Sequence, residues 1–330
     1  MKKIVALTLT MLLLLGCLVG CTSSLGKKTL PEDNGKLQVV TTIFPIYDWT
    51  MHVVGEESDS VDVSVLVDNG TDLHSYQPTP EDILKISTCD VFIYVGGESD
   101  AWVDDALSQA VNKKMVVVNL MDVLGEEAKE EEFVEGMEAE EKEEEEEEEE
   151  GPEYDEHVWL SLKNAVKFSN AIYDALAVAD PDHADEYAAN VLDYTMEICS
   201  LDNQYEEMIS NAKRDTLLFA DRFPFRYLTD DYGLKYYAAF IGCSAETEAS
   251  FSTISFLCDK SDELNLPVIM VIDGSDRQIA ETIVLNSASA DKKILELDSM
   301  QSVTAKDIEK GTTYLSIMEE NLEVLKEALN

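Results

Sequence analysis

Val61-Asp62-Val63-Ser64-Val65-Leu66-Val67 leads, after Asp68-Asn69-Gly70, into Thr71-Asp72-Leu73-His74-Ser75-Tyr76-Gln77-Pro78 and then Thr79-Pro80-Glu81-Asp82. The first run alternates like a half-buried strand. The last reads as a helix start, with a threonine cap, a proline in the first turn and acids beside it. In little more than twenty residues the chain therefore goes from strand through a polar loop into a helix. In sheets built from such units, ligands collect where strands end. His74 stands in the loop that leaves one.

Working outward, residues 37–43, 91–95 and 115–119 are further strand candidates, and 47–54 and 101–110 have helical spacing. Strands alternating with helices imply a parallel sheet covered on both faces. Past residue 160 the alternation resumes. Leu162, Val166, Phe168, Ile172 and Leu176 mark a helix over 161–178, which Asp180-Pro181 breaks. A second helix runs from 182 to about 212, roughly 45 Å at 1.5 Å per residue, longer than one lobe needs. Strands follow at 216–220, 235–240, 267–272 and 293–297, with a closing helix near 312–329. The expected fold is α/β, with two lobes, separate cores and one long helix between them.

The N-terminus bears on location. Lys2 and Lys3 precede an apolar run over 4–15, too short for a comfortable membrane span and suited to a signal peptide. It ends in Leu18-Val19-Gly20-Cys21, which resembles a bacterial lipobox and implies cleavage before Cys21 and a lipid on its thiol. The expected layout is a signal peptide at 1–20, a tether at 21–36, a first lobe at 37–180, a linking helix at 181–212 and a second lobe at 213–330. Residues 126–150 hold seventeen Glu and two Lys, −15 of the formal charge of −44. Such a tract repels itself and lacks apolar periodicity, so 126–153 is expected to be a disordered insertion serving as spacer or cation concentrator. No basic cluster exists for a nucleic-acid partner.

Histidine is scarce: only His52, His74, His157 and His183 occur. His52 falls within an amphipathic helix and His183 opens the long one, so both read as structural. His74 and His157, the latter in Tyr154-Asp155-Glu156-His157-Val158-Trp159, sit in polar turn-like segments, a pattern that suggests a divalent metal closed over by tertiary structure. Of the cysteines beyond Cys21, namely Cys89, Cys199, Cys243 and Cys258, none forms a CxxC pair, which leaves a thiolate zinc site without support. Cys89 and Cys258 lie in apolar contexts and read as buried small hydrophobes.

The order of motifs resembles the metal-binding lipoproteins of bacterial zinc and manganese ABC importers. The likeness runs from Phe44-Pro45-Ile46-Tyr47-Asp48 through the two histidine segments, Tyr187-Ala188-Ala189-Asn190, Tyr232-Gly233-Leu234 and Leu297-Asp298-Ser299. The resemblance implies a metal in the cleft between two lobes, with His74 and His157 as ligands from the first and Asp298 as an acidic ligand from the second. At the remaining ligand position, usually His or Glu, this chain has Arg222, in Ala220-Asp221-Arg222-Phe223-Pro224-Phe225-Arg226-Tyr227. Arginine cannot ligate a cation. Either Asp221 takes over, the favoured alternative, or three protein ligands and water hold the ion while Arg222 pairs with a carboxylate.

The implied function is capture of Zn2+, with Mn2+ as runner-up cargo, and delivery to an ABC permease by a monomer anchored at the outer membrane face through Cys21. Affinity should fall below about pH 6 as histidines protonate. An enzyme using Asp155 or Glu156 at a catalytic metal is disfavoured, because no HExxH spacing or phosphate-cradling loop occurs. A surface adhesin whose acidic tract binds calcium or a basic partner is the other rival.

Overall fold

The computed structural model describes residues 35–55, 59–138, 153–244, 248–289 and 291–330. The signal peptide, Cys21 and most of the tether lie outside the described residues. Strands β1 (Leu37–Thr41), β2 (Val61–Val65), β3 (Val91–Tyr94) and β4 (Val116–Asn119) form a parallel sheet in the order β2-β1-β3-β4. Strands β5 (Thr216–Phe223), β6 (Lys235–Ile241), β7 (Val268–Ile272) and β8 (Lys293–Leu297) form a second parallel sheet in the order β6-β5-β7-β8. Every strand expected from the sequence is present, within a few residues at its ends.

Helices α1 (Phe44–Val54), α2 (Pro80–Thr88), α3 (Trp102–Ser108), α4 (Leu120–Leu124) and α5 (Leu162–Ala179) belong to the first half. Thr79 and Asp82 form a reciprocal capping box at α2, the start read from Thr79-Pro80. The long helix α6 (Ala184–Ser210) has 27 residues, about 40 Å at 1.5 Å per residue. It is followed by α7 (Arg226–Tyr232), α8 (Phe251–Glu263), α9 (Gln278–Asn286), α10 (Ala305–Glu309) and α11 (Tyr314–Leu329). Among the described residues no helix is long and apolar enough to cross a membrane. His52 stacks on Tyr194 with centroids 4.0 Å apart, and His183 stands at the N-terminal boundary of α6 with its Nδ1 2.7 Å from Asp180. Both serve structure.

The two halves do not have separate cores, contrary to expectation. One continuous apolar cluster runs from the first sheet through α5 and α6 to one face of the second. Trp49 packs edge-on against Tyr314 at 5.1 Å, and the Tyr314 hydroxyl donates to the Trp159 carbonyl. The Trp159 indole in turn donates to the Ser299 carbonyl. Tyr194 of α6 donates to Asp48 of α1, while Tyr205 of the same helix donates to the Met318 carbonyl of α11. Large aromatics spanning the seam fuse what local patterning divides. Only the outer face of the second sheet, with Leu218, Ala220, Phe240 and Leu257, has its own cluster. Alternation along β5 sends Leu217 and Phe219 to one cluster and Leu218 and Ala220 to the other.

The acidic insertion also departs from expectation, since residues 126–138 and 153 are ordered. Glu131 N donates to the Glu153 carbonyl and Asp155 N to that of Lys129. Glu138 N donates to the Ala239 carbonyl of edge strand β6, while its carboxylate accepts from Ser250 and Thr253. Met137 is buried. Gly136 lies so close to the Phe256 ring that a Cβ would come within 2.0 Å of it. Charge content alone predicted disorder, but Val134 and Met137 pack on the core and hold the segment over the sheet edge. Residues 139–152 lie outside the described residues.

Candidate metal centre

His74 lies in a single 3-10 turn, Leu73–Ser75, at the carboxyl end of the first sheet. Asp72 caps that turn by accepting from His74 N. His157 follows the acidic insertion and precedes the turn Val158–Leu160; it is fully buried. The two residues, 83 apart in sequence, bring their Nε2 atoms to 3.1 Å. Two nitrogens bound at zinc distance on a tetrahedral ion lie roughly 3.3 Å apart. The pair thus has the spacing that a shared divalent ion requires.

The other ring nitrogens have partners. His157 Nδ1 is 3.0 Å from Asp155 Oδ1, and His74 Nδ1 is 2.7 Å from Ser99 Oγ. These contacts fix the ring orientations, and a ring that donates from Nδ1 keeps the Nε2 lone pair for an ion. Burial lowers the His74 pKa to about 3, helped by repulsion from His157, so this imidazole is neutral and ready to ligate. For His157 burial acts downward too, but Asp155, Glu131 and Glu156 outweigh it and hold the pKa above the ordinary value.

Asp155 and Glu156 are both buried, and Asp155 Oδ2 and Glu156 Oε2 have no hydrogen-bond partner among the described residues. Glu156 Oε2 is 3.8 Å from His74 Nδ1. Buried carboxylate oxygens without donors are costly unless positive charge compensates them. A neutral His74 imidazole beside His157 in such a field suits a cation. A cavity of about 250 Å³ opens beside them, lined by His74, Cys243 and Glu98, Glu131, Glu153 and Glu156.

The second lobe brings Cys243 beside the two histidines. The only described group of three donors that could hold an ion is His74, His157 and Cys243, whose ligand atoms all lie within 4.8 Å of one another. Asp221 and Asp298 are not among these donors. An irregularity in β5 between Phe219 and Arg222 shifts its pairing with β6. Asp221 Oδ1 accepts from Arg222 N, and the Arg222 guanidinium reaches across the seam to Asp72 Oδ2 at 2.7 Å. Burial raises the Asp72 pKa, yet the Arg222 charge and the His74 backbone N–H more than offset this and keep it ionised. The arginine at this position is thus paired with a carboxylate. Asp221 and Arg222 line a neighbouring cavity with Asp72 and Asp273. Asp298 sits beyond β8, its amide donating to Asn321, its pKa pushed up to about 7 by burial and Asp273.

Cys243 and Glu131 escaped the sequence reading. Cys243 had a usable signal, because Gly242-Cys243-Ser244 follows a strand as the His74 loop does. Glu131 had none, being one glutamate in a run of them.

The family described as zinc-uptake complex component A, periplasmic (ZnuA), matches residues 39–328. The zinc-binding lipoprotein AdcA of Streptococcus pneumoniae is 31% identical over 331 residues, 99% of this chain and 61% of AdcA. This chain thus spans about three-fifths of that relative. The high-affinity zinc uptake system protein ZnuA of Bacillus subtilis is 31% identical, covering 94% of this chain and 92% of its own length. The Zn(II)-bound ZnuA-like domain of S. pneumoniae AdcA superposes with a TM-score of 0.69 at 29% identity, over 89% of this chain and 99% of the domain.

Proposed function

This chain belongs to the ZnuA zinc-uptake family, and from that premise we propose that it captures Zn2+ outside the cytoplasm and delivers it to the permease of an ABC importer. Mn2+ is the runner-up cargo. The reading assigns the protein a binding role, not a catalytic one. The observation that carries it is the opposed pair of imidazole nitrogens, 3.1 Å apart with both Nδ1 atoms engaged. His74 and His157 hold the ion from the first lobe. Asp298 and Asp221 take a lesser part, as carboxylates that offset its charge from the second. The lipobox-like Leu18-Val19-Gly20-Cys21 and the lipoprotein relative support anchoring through Cys21, with a monomer as the acting unit.

Competition of Zn2+ and Mn2+ against a chelator, on protein lacking residues 1–34, tests this reading. Tight Zn2+ binding at one equivalent is expected. If neither ion competes with the chelator, capture is the wrong function. Unchanged affinity in both histidine variants, with loss on deleting 139–150, would instead indicate a surface interaction protein that uses its acidic tract.

Two subsidiary outcomes follow from the geometry. Asp155→Asn removes the carboxylate that orients the His157 ring and should weaken Zn2+ binding about 10–100-fold, as loss of outer-shell partners does. An unchanged constant would show that Asp155 does not orient a ligand. Asp221→Ala and Asp298→Ala should each weaken binding by less than about tenfold, since removing an unligated charge costs less than about 1.4 kcal/mol. A larger loss in either would make that residue a ligand.

A further inference from the structure

We propose that Cys243 is the second lobe's ligand, its thiolate completing with His74 and His157 a nitrogen–sulfur site that takes zinc in preference to manganese. The inference rests on the metal-capture reading and identifies what that reading leaves open, the donor facing the two histidines. The Cys243 sulfur and the two imidazoles are mutually within 4.8 Å. Arg222, where the resemblance places a ligand, cannot ligate and is committed to Asp72. The donor must therefore come from another strand end, and the loop after β6 supplies it.

That loop is built for close approach. A Cβ on Gly242 would lie 3.0 Å from the Phe223 carbonyl and 3.1 Å from the His157 ring, tighter than side chains normally pack. Glycine at 242 lets the backbone lie against the imidazole and sets Cys243 beside it. Clamps act from two sides: Cys243 N donates to Glu131 Oε1 at 3.2 Å, and Arg222 reaches the Ser244 carbonyl. The ordered flank of the acidic insertion thus holds the cysteine loop in place, with Glu131 as a positioning residue.

The chemistry balances simply. The Cys243 S–H bond breaks, its proton leaves to solvent through the adjoining cavity, and a Zn–S bond forms without electron transfer. Thiolates favour zinc over manganese, which prefers oxygen donors. A thiolate where related sites use His or Glu shifts selection towards zinc.

Cobalt(II) reports the donor without relying on a variant. The wild-type Co2+ adduct should show a sulfur-to-cobalt charge-transfer band in the near ultraviolet, bleached by Zn2+ and absent in Cys243→Ser. That variant should lose Zn2+ affinity by more than the roughly 10–100-fold cost of an outer-shell partner, with its preference over Mn2+ reduced. Zn2+ should also protect Cys243, and not the exposed Cys199, from alkylation read by peptide mass spectrometry. A wild-type adduct that binds Co2+ tightly without the band, or Zn2+ affinity unchanged in Cys243→Ser, overturns the cysteine ligand and leaves metal capture standing. No tight binding of either ion by wild type overturns both.

Discussion

His157→Ala is expected to lower Zn2+ affinity by roughly two to three orders of magnitude. Four-ligand zinc sites are held by about 10–16 kcal/mol, so one ligand accounts for about 2.5–4 kcal/mol. The loss should fall at the upper end, because His157 is fully buried and its deletion takes the imidazole partner from Asp155. His74→Ala should cost somewhat less. His74 borders the open cavity, where water can take the vacated position. His52→Ala, whose ring stacks on Tyr194 away from these donors, serves as a control and should leave affinity unchanged. Chelator competition on the three variants decides the matter. Wild-type affinity in both His74→Ala and His157→Ala would remove the site.

Trp159→Ala should have the largest effect on stability. The indole is 1% exposed, donates to the Ser299 carbonyl beyond β8, and lies 5.2 Å from the His157 ring. Its backbone carbonyl accepts from Tyr314. Truncating so large a buried side chain costs about 3–5 kcal/mol. For a chain of this size that lowers the melting temperature by roughly 10 °C, at about 2–4 °C per kcal/mol. The half-buried Trp102→Ala should cost clearly less. Because Trp159 ties the seam between the sheets to the His157 segment, its loss should also weaken metal binding, even well below the melting temperature. Equal melting temperatures for the two variants would show that the seam carries little of the stability.

Much of this was legible without coordinates. Short apolar and β-branched runs marked all eight strands, with alternation at 61–67, because strand preference follows from the residues themselves. The Thr79-Pro80 cap and the Asp180-Pro181 break placed helix ends for equally local reasons. His74 and His157 stood out through residue type and polar surroundings, and the motif order carried the family. Arg222 was recognisable as a non-ligand from its chemistry alone.

The rest depends on which strand ends meet. Cys243 carries no neighbouring cysteine to announce it, and becomes a candidate donor only because the loop after β6 is brought against the His157 ring across the seam. Glu131 is indistinguishable from its neighbours until docking along β6 selects it. The pairing of Arg222 with Asp72, 150 residues away, and the single core fused by Trp49, Trp159 and Tyr314 are of the same kind. Sequence by itself determined the elements, the two histidines and the family, because those follow from short-range periodicity and from residue chemistry. Tertiary structure decided which second-half residues face the two histidines and how the lobes fuse, because convergence of side chains from distant segments is a property of how the two sheets pack, and no local pattern encodes it.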